Sequence, residues 1–212
     1  MGGRARFFNQ IVKVYSSRMP PDSTATKKRL LDAALAEFAE HGLAGARVDR
    51  IGLAARANKR LIYVYFTNKE QLFDTVIERF IDDLNAAVSF TPGDLAGYAG
   101  ALFDHLLAHP EHLRLTAWAQ LERPQVRPNE FTAYKRKVDA IGAALEPGSP
   151  ASAMSATDVL AFVCGLATSW FYASPALKAT VSGDPFSEER IAQHRIALMA
   201  AVDAVIARTP GS

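Results

Sequence analysis

The chain of 212 residues contains a single cysteine, Cys164. One cysteine excludes a disulfide framework within the chain and fits a reducing compartment. No run of 18 or more apolar residues is present, so we expect no membrane-spanning helix. Residues 1–18 lack a continuous apolar core and a small-residue cleavage site, which argues against a secretory signal. These absences favour a cytoplasmic protein that has no membrane partner.

Signatures of common catalytic and metal centres are also missing. The chain has no glycine-rich phosphate loop and no HExxH motif, and no base stands at motif spacing from Cys164. His105 and His109 are four residues apart, with His112 and Asp104 nearby, a spacing that can place two metal ligands on one helix face. Because no cysteine cluster accompanies them, we interpret these histidines as surface or core residues. We expect no enzyme activity, no cofactor and no metal site.

Charge is distributed unevenly along the chain. The formal net charge is +2, but residues 1–23 carry +3, residues 24–69 carry +5 and residues 70–212 carry −6. A basic N-terminal part and an acidic remainder suggest that only the N-terminal part contacts a polyanion such as DNA. A charge asymmetry without any partner is the alternative interpretation.

Apolar residues recur every three or four positions, whereas the alternation typical of strands is nearly absent. The pattern predicts a first helix that ends near Gly42 and a long helix at 68–88, begun by a capping box of Thr67 and Glu70. Proline- and glycine-rich breaks then separate five further helices. These are predicted near residues 94–108, 110–122, 129–146, 155–173 and 187–208. The predicted fold class is therefore all-α.

Two short helices are predicted at 46–55 and 59–66, joined by a tight turn in which Asn58 suits an N-cap. Helices of two turns are not stable alone in water, so the flanking helices at 26–41 and 68–88 must frame them. This arrangement is typical of a helix-turn-helix, whose second helix has the size to enter a major groove.

The second short helix has two chemically different faces. Ile62 and Phe66 are four residues apart and share an inward face, whereas Lys59, Arg60 and Tyr63 point outward. Cationic and phenolic groups on one face match the phosphates and base edges of duplex DNA.

Three stretches together resemble the N-terminal domain of the TetR/AcrR family of transcriptional regulators. They are VDRI at 48–51, NKRLIYVYF at 58–66 and NKEQLF at 68–73, and the similarity extends over about residues 26–80. The resemblance implies an all-helical, Ω-shaped homodimer with a recognition helix at 59–65. It also implies a C-terminal domain that binds an inducer and dimerises through the last two helices.

The resemblance also implies a set of contacts to double-stranded DNA bearing a pseudopalindromic operator. Arg60 is the side chain we expect to read a base. The expected DNA contacts are Arg47, Asn58, Lys59, Arg60, Leu61, Tyr63, Tyr65 and Lys69.

Some positions depart from the family pattern. Arg47 stands where a capping threonine is frequent, so the helix after it loses that cap. Gly52 replaces an alanine, at a cost of up to about 1 kcal/mol in helix propensity. Arg56 and Ala57 replace Gly-Val in the turn, so either Arg56 adopts a strained left-handed backbone or the turn differs.

The back half is rich in large apolar residues that suit the lining of a cavity for a mostly hydrophobic ligand, an unknown small-molecule inducer. Ordinary core packing is the alternative for each of them. The candidate lining residues are Phe103, Leu107, Trp118, Leu121, Phe131, Tyr134, Phe162, Leu166 and Trp170.

Apolar stripes on the last two long helices suggest a four-helix interface between two copies, with packing inside one chain as the alternative. The candidate interface residues are Leu160, Val163, Ala167, Ile191, Leu198 and Val202.

We predict an N-terminal extension at 1–23, a DNA-binding domain at 24–70 and a ligand-binding and dimerisation domain at 71–212, linked by the helix at 68–88. The extension is a flexible tail, an upstream segment before a start at Met19, or a basic arm. That arm would carry Arg4, Arg6, Lys13 and Arg18.

The predicted function is transcriptional repression that a small, mostly apolar ligand releases. The alternative is a helical protein that binds or converts a small molecule and whose basic head is incidental.

Overall fold

The computed structural model describes residues 23–145 and 154–207, which form ten helices and, within those ranges, no strand. The predicted all-α fold is confirmed. The hypotheses on Met19 and on the basic arm lie outside the described residues. The helices are α1 (Ser23–Gly45), α2 (Val48–Ala54), α3 (Lys59–Tyr65), α4 (Lys69–Ala87), α5 (Leu95–Ala108), α6 (Pro110–Glu122), α7 (Pro128–Ala144), α8 (Ala156–Tyr172), α9 (Pro175–Lys178) and α10 (Glu188–Ala207).

The start of α4 differs from the predicted capping box. Its cap is Asn68, whose Oδ1 accepts a hydrogen bond from the Gln71 amide at 2.7 Å. Oε1 of Gln71 in turn accepts from the Thr67 amide at 2.6 Å. The cap thus lies one position later than the predicted Thr67 and Glu70, because the helix itself begins at Lys69, and the side chain of Gln71 binds the amide before the cap residue.

The chain divides into two compact units. Unit 1 contains residues 23–77 and 114–123, and unit 2 contains residues 78–113, 124–145 and 154–207. The predicted domain boundary lies after residue 70, and it assigns all of α6 to the C-terminal domain. In the structure, residues 114–123 of the chain belong to unit 1. The spacing of apolar residues predicts that α6 is a helix, but it does not show which of the two cores the apolar side chains pack into.

Unit 1 packs around a pair of aromatic side chains. The rings of Phe38 on α1 and Phe73 on α4 meet edge to face, with centroids 4.9 Å apart. Ile51 of α2 and Ile62 of α3 are fully buried. Because each short helix is anchored through such buried residues, the framing helices supply the stability that two-turn helices lack.

The end of α1 is built around Gly42, whose φ of 66° interrupts the helical backbone. A Cβ at this position would lie 2.8 Å from the ring of Trp118, so glycine is needed for both conformation and space. The carboxylate of Glu122 accepts hydrogen bonds from the amides of Leu43 and Ala44, which follow the break. The predicted helix end near Gly42 therefore coincides with this break.

Unit 2 has its own apolar core, contributed mainly by α5, α8 and α10. Phe103, Val159, Val163 and Val202 are almost completely buried there. The short helix α9, begun by Ser174, was not predicted because four residues are too few to show a helical period. Within the described ranges, none of the helices combines the length and the apolar character that a membrane span requires.

Candidate DNA-binding surface and ligand-domain core

The N-terminus of α2 is capped by a side chain from α1 rather than by a residue of its own. Arg47 precedes α2 and makes no side-chain cap, as predicted. Its amide instead donates to Oε1 of Glu37 at 2.8 Å, and Nε of Arg50 donates to the same oxygen at 2.7 Å. Burial alone would raise the pKa of Glu37, but these hydrogen bonds and the charge of Arg50 lower it overall. Glu37 therefore fixes α2 on α1.

The turn between α2 and α3 brings two backbone segments very close. The amide of Ala57 donates to the carbonyl of Gly52 at 2.9 Å. A Cβ on Gly52 would lie 3.1 Å from the Ala57 carbonyl oxygen, tighter than ordinary contact. Arg56, between them, has φ 51°, so the left-handed backbone is the one of the two alternatives that the chain adopts. In this turn, glycine therefore stands at the point of close approach, and a non-glycine residue takes the left-handed conformation.

Asn58 begins α3 as predicted, because its side chain accepts a hydrogen bond from the Arg60 amide at 2.9 Å. Lys59, Arg60 and Tyr63 are exposed on one side of α3, with 54% of Tyr63 accessible. Leu61 is half-buried beside them. The face predicted to read DNA is therefore open to solvent.

Other predicted contacts have structural partners within unit 1. Nζ of Lys69 donates to the carbonyl of Ala46 at 3.1 Å and lies 3.4 Å from that of Ala44, so it ties α4 to the end of α1. Tyr65 is half-buried beside Phe66. Val64, which is not among the predicted contacts, is 68% exposed on α3. The register of α3 turns this apolar side chain outward.

The predicted ligand residues do not gather in one place. Leu121 is 75% exposed, and Trp118 packs near Gly42 in unit 1. These two predictions are wrong as positions in a unit 2 cavity, because this part of α6 belongs to unit 1. Four further candidates are exposed within unit 2, and Leu166 is half-buried. The four are Leu107, Phe131, Tyr134 and Phe162.

Phe103 and Trp170, by contrast, are buried and belong to one aromatic cluster with the half-buried Phe171 and His194. The ring of His194 lies 5.3 Å from that of Phe103 and 5.1 Å from that of Trp170, and Phe171 lies 5.2 Å from Phe103. Nε2 of His194 is buried and has no hydrogen-bond partner among the described residues. Burial and the charge of Arg190 lower the pKa of His194. The cluster therefore holds an unsatisfied polar atom among aromatic rings.

A buried lysine lies elsewhere in unit 2 and was missed in the sequence. Nζ of Lys137 donates to Oδ1 of Asn85 at 2.9 Å and to Oη of Tyr98 at 3.0 Å. It also faces the rings of Phe90 and Tyr98. Burial lowers the pKa of Lys137. Its neighbours Lys135 and Arg136 made this segment look like an ordinary solvated helix face.

Two family models match the chain. One, described as bacterial regulatory proteins of the tetR family, covers residues 30–76, and the other, a tetracyclin repressor-like C-terminal domain, covers residues 94–203. The chain belongs to the TetR family. The resemblance that the α2 and α3 motifs indicated is confirmed, and with it the class of transcriptional regulator.

Individual TetR-family relatives agree. The HTH-type transcriptional repressor SCO4008 of Streptomyces coelicolor is 42% identical over 166 residues, which cover 76% of this chain and 86% of that repressor. The HTH-type transcriptional repressor NicS of Pseudomonas putida is 33% identical over 105 residues, 46% of this chain and 50% of NicS. The crystal structure of the putative transcriptional regulator SCO4942 from Streptomyces coelicolor has a TM-score of 0.76 and 39% identity. That similarity covers 86% of this chain and 99% of the other.

TetR-family regulators function as dimers. The prediction of the residues that form the dimer interface is wrong, because these residues are not on the surface of the protomer. All six lie in the core of this protomer, since the apolar stripes of α8 and α10 face that core and not solvent. They are Leu160, Val163, Ala167, Ile191, Leu198 and Val202. The opposite faces of the same helices expose Phe162 and Ile196 among small residues such as Gly165 and Ala200.

Proposed function

We propose that this TetR-family protein is a sequence-specific repressor that binds a pseudopalindromic DNA operator as a homodimer in the cytoplasm. The observation that carries the proposal is the exposed face of α3. Lys59, Arg60 and Tyr63 project from a helix whose buried side is fixed in unit 1. A helix of this size, with cationic and phenolic side chains on its free face, suits a DNA major groove.

The proposed contacts divide into two roles. Arg60 reads a base, because its exposed guanidinium can make a bidentate contact. Arg47, Lys59, Leu61, Tyr63 and Tyr65 contact phosphates, sugars or methyl groups. Asn58 and Lys69 act mainly by positioning, since Asn58 caps α3 and Lys69 holds backbone carbonyls.

A selection for bound sequences from random DNA, followed by anisotropy titrations at several salt concentrations, tests this function. We expect tight binding to the selected operator and much weaker binding to random DNA. Arg60→Ala should weaken operator binding by about tenfold to a hundredfold and relax the preference at one base pair. Arg47→Ala, the matched control, should weaken binding to every sequence equally and reduce the salt dependence.

Equal affinity for selected and random DNA would contradict the proposal. It would favour the alternative, a protein that binds a small molecule and whose basic N-terminal part has no role in DNA recognition. Uniform weakening by Arg60→Ala would show instead that Arg60 contacts a phosphate.

We further propose that a small, mostly apolar ligand binds at the aromatic cluster of Phe103, Trp170, Phe171 and His194 and releases the DNA. Support comes from the unpaired Nε2 of His194, because a buried polar atom without a partner is costly and a ligand hydroxyl or carbonyl can satisfy it. The ligand would favour a conformation that fits the operator poorly.

Tryptophan fluorescence with an apolar naphthalene-sulfonate dye as probe locates this site. Energy transfer from Trp170 to the bound dye should disappear in Trp170→Phe and persist in Trp118→Phe, which alters unit 1 instead. Unchanged transfer in Trp170→Phe would contradict a site at this cluster.

The homodimer would form through the exposed faces of α8 and α10. Phe162 and Ile196 are the large apolar side chains on these faces, 50% and 71% exposed in the single chain. Small residues between them, including Gly165 and Ala200, allow close approach of helices from a second copy.

A further inference from the structure

Three of the five histidines in the chain lie within residues 105–112. His105 is in the last turn of α5, His109 caps the end of that helix, and His112 is in the first turn of α6. The amide of His109 donates to the carbonyl of His105, and the amide of His112 donates to that of His109, each at 3.0 Å. The junction around Pro110 thus folds the three imidazoles toward one another.

The three rings form a compact triangular cluster within unit 2. Ring centroids are 4.7 Å apart for His105 and His109, 5.0 Å for His109 and His112, and 5.3 Å for His105 and His112. Glu111 joins them, with Oε1 3.3 Å from Nδ1 of His109. Asp104, which the sequence suggested as a neighbour, instead forms an ion pair with Arg195 at 2.8 Å. The carboxylate that lies beside the histidines is therefore that of Glu111 and not that of Asp104.

The ligand atoms lie close enough to one another to share a metal ion. One ligand atom each from His109, Glu111 and His112 lies within 4.8 Å of the others. Metal–ligand bonds of about 2.0–2.1 Å in tetrahedral geometry place ligand atoms about 3.3 Å apart. The pair of His109 and Glu111 already has this separation, and the distances to His112 would shorten when an ion binds.

The site is anchored on one side and open on the other. His112 is buried, and the ring of Phe80 packs 4.5 Å from its ring. His109 is exposed and Glu111 is half-buried, so an ion has access from solvent. A fixed interior ligand and two accessible ones suit three-ligand coordination with water in the fourth position.

We propose that His109, Glu111 and His112 bind a divalent first-row transition-metal ion, such as Zn²⁺, that joins the end of α5 to the start of α6. Two imidazoles and one carboxylate are ligands that this class of ion prefers. His105 is a positioning residue, because its Nε2 lies 3.3 Å from Nδ1 of His112 and can fix the orientation of that ring. The site shares no residue with the proposed DNA contacts or with the aromatic ligand cluster.

Calorimetric titration of the full chain with ZnCl₂ tests the site, with Co²⁺ as a spectroscopic substitute. We expect one ion per protomer and intense visible Co²⁺ absorption typical of low coordination number. His109→Ala and Glu111→Gln should each weaken Zn²⁺ binding more than about tenfold and change the Co²⁺ spectrum. His105→Ala should weaken binding by about tenfold to a hundredfold, the loss typical of an outer partner, while keeping the spectrum's shape.

His41→Ala removes a histidine of unit 1 and is the matched control, with unchanged binding expected. His109 and Glu111 are accessible, so their variants should fold, and circular dichroism verifies this. Zn²⁺ should also raise the thermal unfolding temperature of the parent protein but not of His109→Ala. Absence of saturable binding, or unchanged affinity in a His109→Ala/His112→Asn double variant, would overturn the proposal.

Discussion

Nζ of Lys59, the first residue of α3, lies 2.9 Å from Oδ1 of Asp49 on α2. The hydrogen bond and the charge of Asp49 raise the pKa of Lys59. Both side chains are largely exposed, so the pair adds little to folding stability. Its main consequence concerns DNA, because an acidic group stands beside a cation on the surface that we propose to meet phosphate.

Asp49→Asn should therefore tighten operator binding by about fivefold, since it removes one negative charge near the phosphates and releases Lys59. The salt dependence should become steeper by about one unit, as expected for one additional phosphate contact. Anisotropy titrations at several salt concentrations measure both effects. Asp32→Asn breaks a similar exposed pair with Lys28 on α1 and serves as control. Equal gains in the two variants would point to net charge alone, and weaker binding by Asp49→Asn would contradict the prediction.

Gly52→Ala should destabilise the protein, although alanine is the better helix former by about 1 kcal/mol. The added Cβ would lie 3.1 Å from the Ala57 carbonyl oxygen and would open the turn before α3. Urea unfolding followed by circular dichroism measures the change. Gly142→Ala on α7 is the matched control, because its Cβ meets only ordinary contact at 3.8 Å and should stabilise. Stabilisation by both substitutions would show that the close approach at Gly52 is unimportant.

Arg56→Gly should stabilise the protein, because Arg56 has a left-handed φ of 51°. Relief of this conformation is worth about 1–2 kcal/mol, and the greater freedom of glycine in the unfolded chain offsets up to about 1 kcal/mol. We therefore expect a net gain of about 0.5–1 kcal/mol in the free energy of unfolding. Arg56→Lys keeps both the charge and the strain, so it should leave stability unchanged. A loss of stability in Arg56→Gly would contradict the interpretation of strain.

Glu37→Gln should weaken the attachment of α2 to α1 by about 1 kcal/mol at neutral pH, since a charged acceptor of two hydrogen bonds becomes a neutral one. The folded-state pKa of Glu37 is lowered from 4.5, so its carboxylate stabilises the fold above that pH, and this contribution is lost as the pH falls through the folded value. The two proteins should therefore converge in stability below pH 4.5.

Urea unfolding at a series of pH values between neutral and acid measures this convergence. Glu40→Gln, which removes an exposed pair with Arg114, is the control and should have a smaller effect. A stability difference between Glu37→Gln and the parent that is independent of pH would exclude a role for the ionised carboxylate.

Local sequence patterns predicted the parts of the fold that depend on local interactions. The apolar period identified the long helices, and Asn58 was identified as the cap of α3. The unusual residues of the turn left two alternatives, one of which was the left-handed backbone observed at Arg56. Each of these features depends on residues only a few positions apart in the chain. They were therefore accessible before any tertiary contact was known.

Features that depend on distant contacts were not predictable in this way. Periodicity shows that α8 and α10 each have an apolar stripe, but not whether Val163 and Val202 face their own core or a second copy. Likewise, the spacing of His105, His109 and His112 was visible, whereas the approach of Glu111 depends on the fold at Pro110. The burial of Lys137 was not predicted, because the neighbouring charged residues are typical of an exposed helix face. Only the packing of other helices removes Lys137 from solvent.

Ile196→Glu should convert the dimer into monomers, because it would place a carboxylate in the proposed interface between the exposed faces of α8 and α10. Ile196 is 71% exposed in the single chain, so the substitution should leave the protomer folded. Two-fold symmetry introduces the charge twice, so the dissociation constant of the dimer should rise by more than about a hundredfold. Operator affinity should fall with it, because one protomer contacts only one half-site.

Analytical ultracentrifugation measures the change as a mass of 23.0 kDa instead of twice that value. Leu177→Glu introduces the same charge at an exposed leucine on α9, outside these faces, and should remain dimeric. If Ile196→Glu sediments as a dimer with normal operator affinity, the interface lies on another surface. If both variants dissociate, general electrostatic repulsion is responsible, and the result would not support an interface at the exposed faces of α8 and α10.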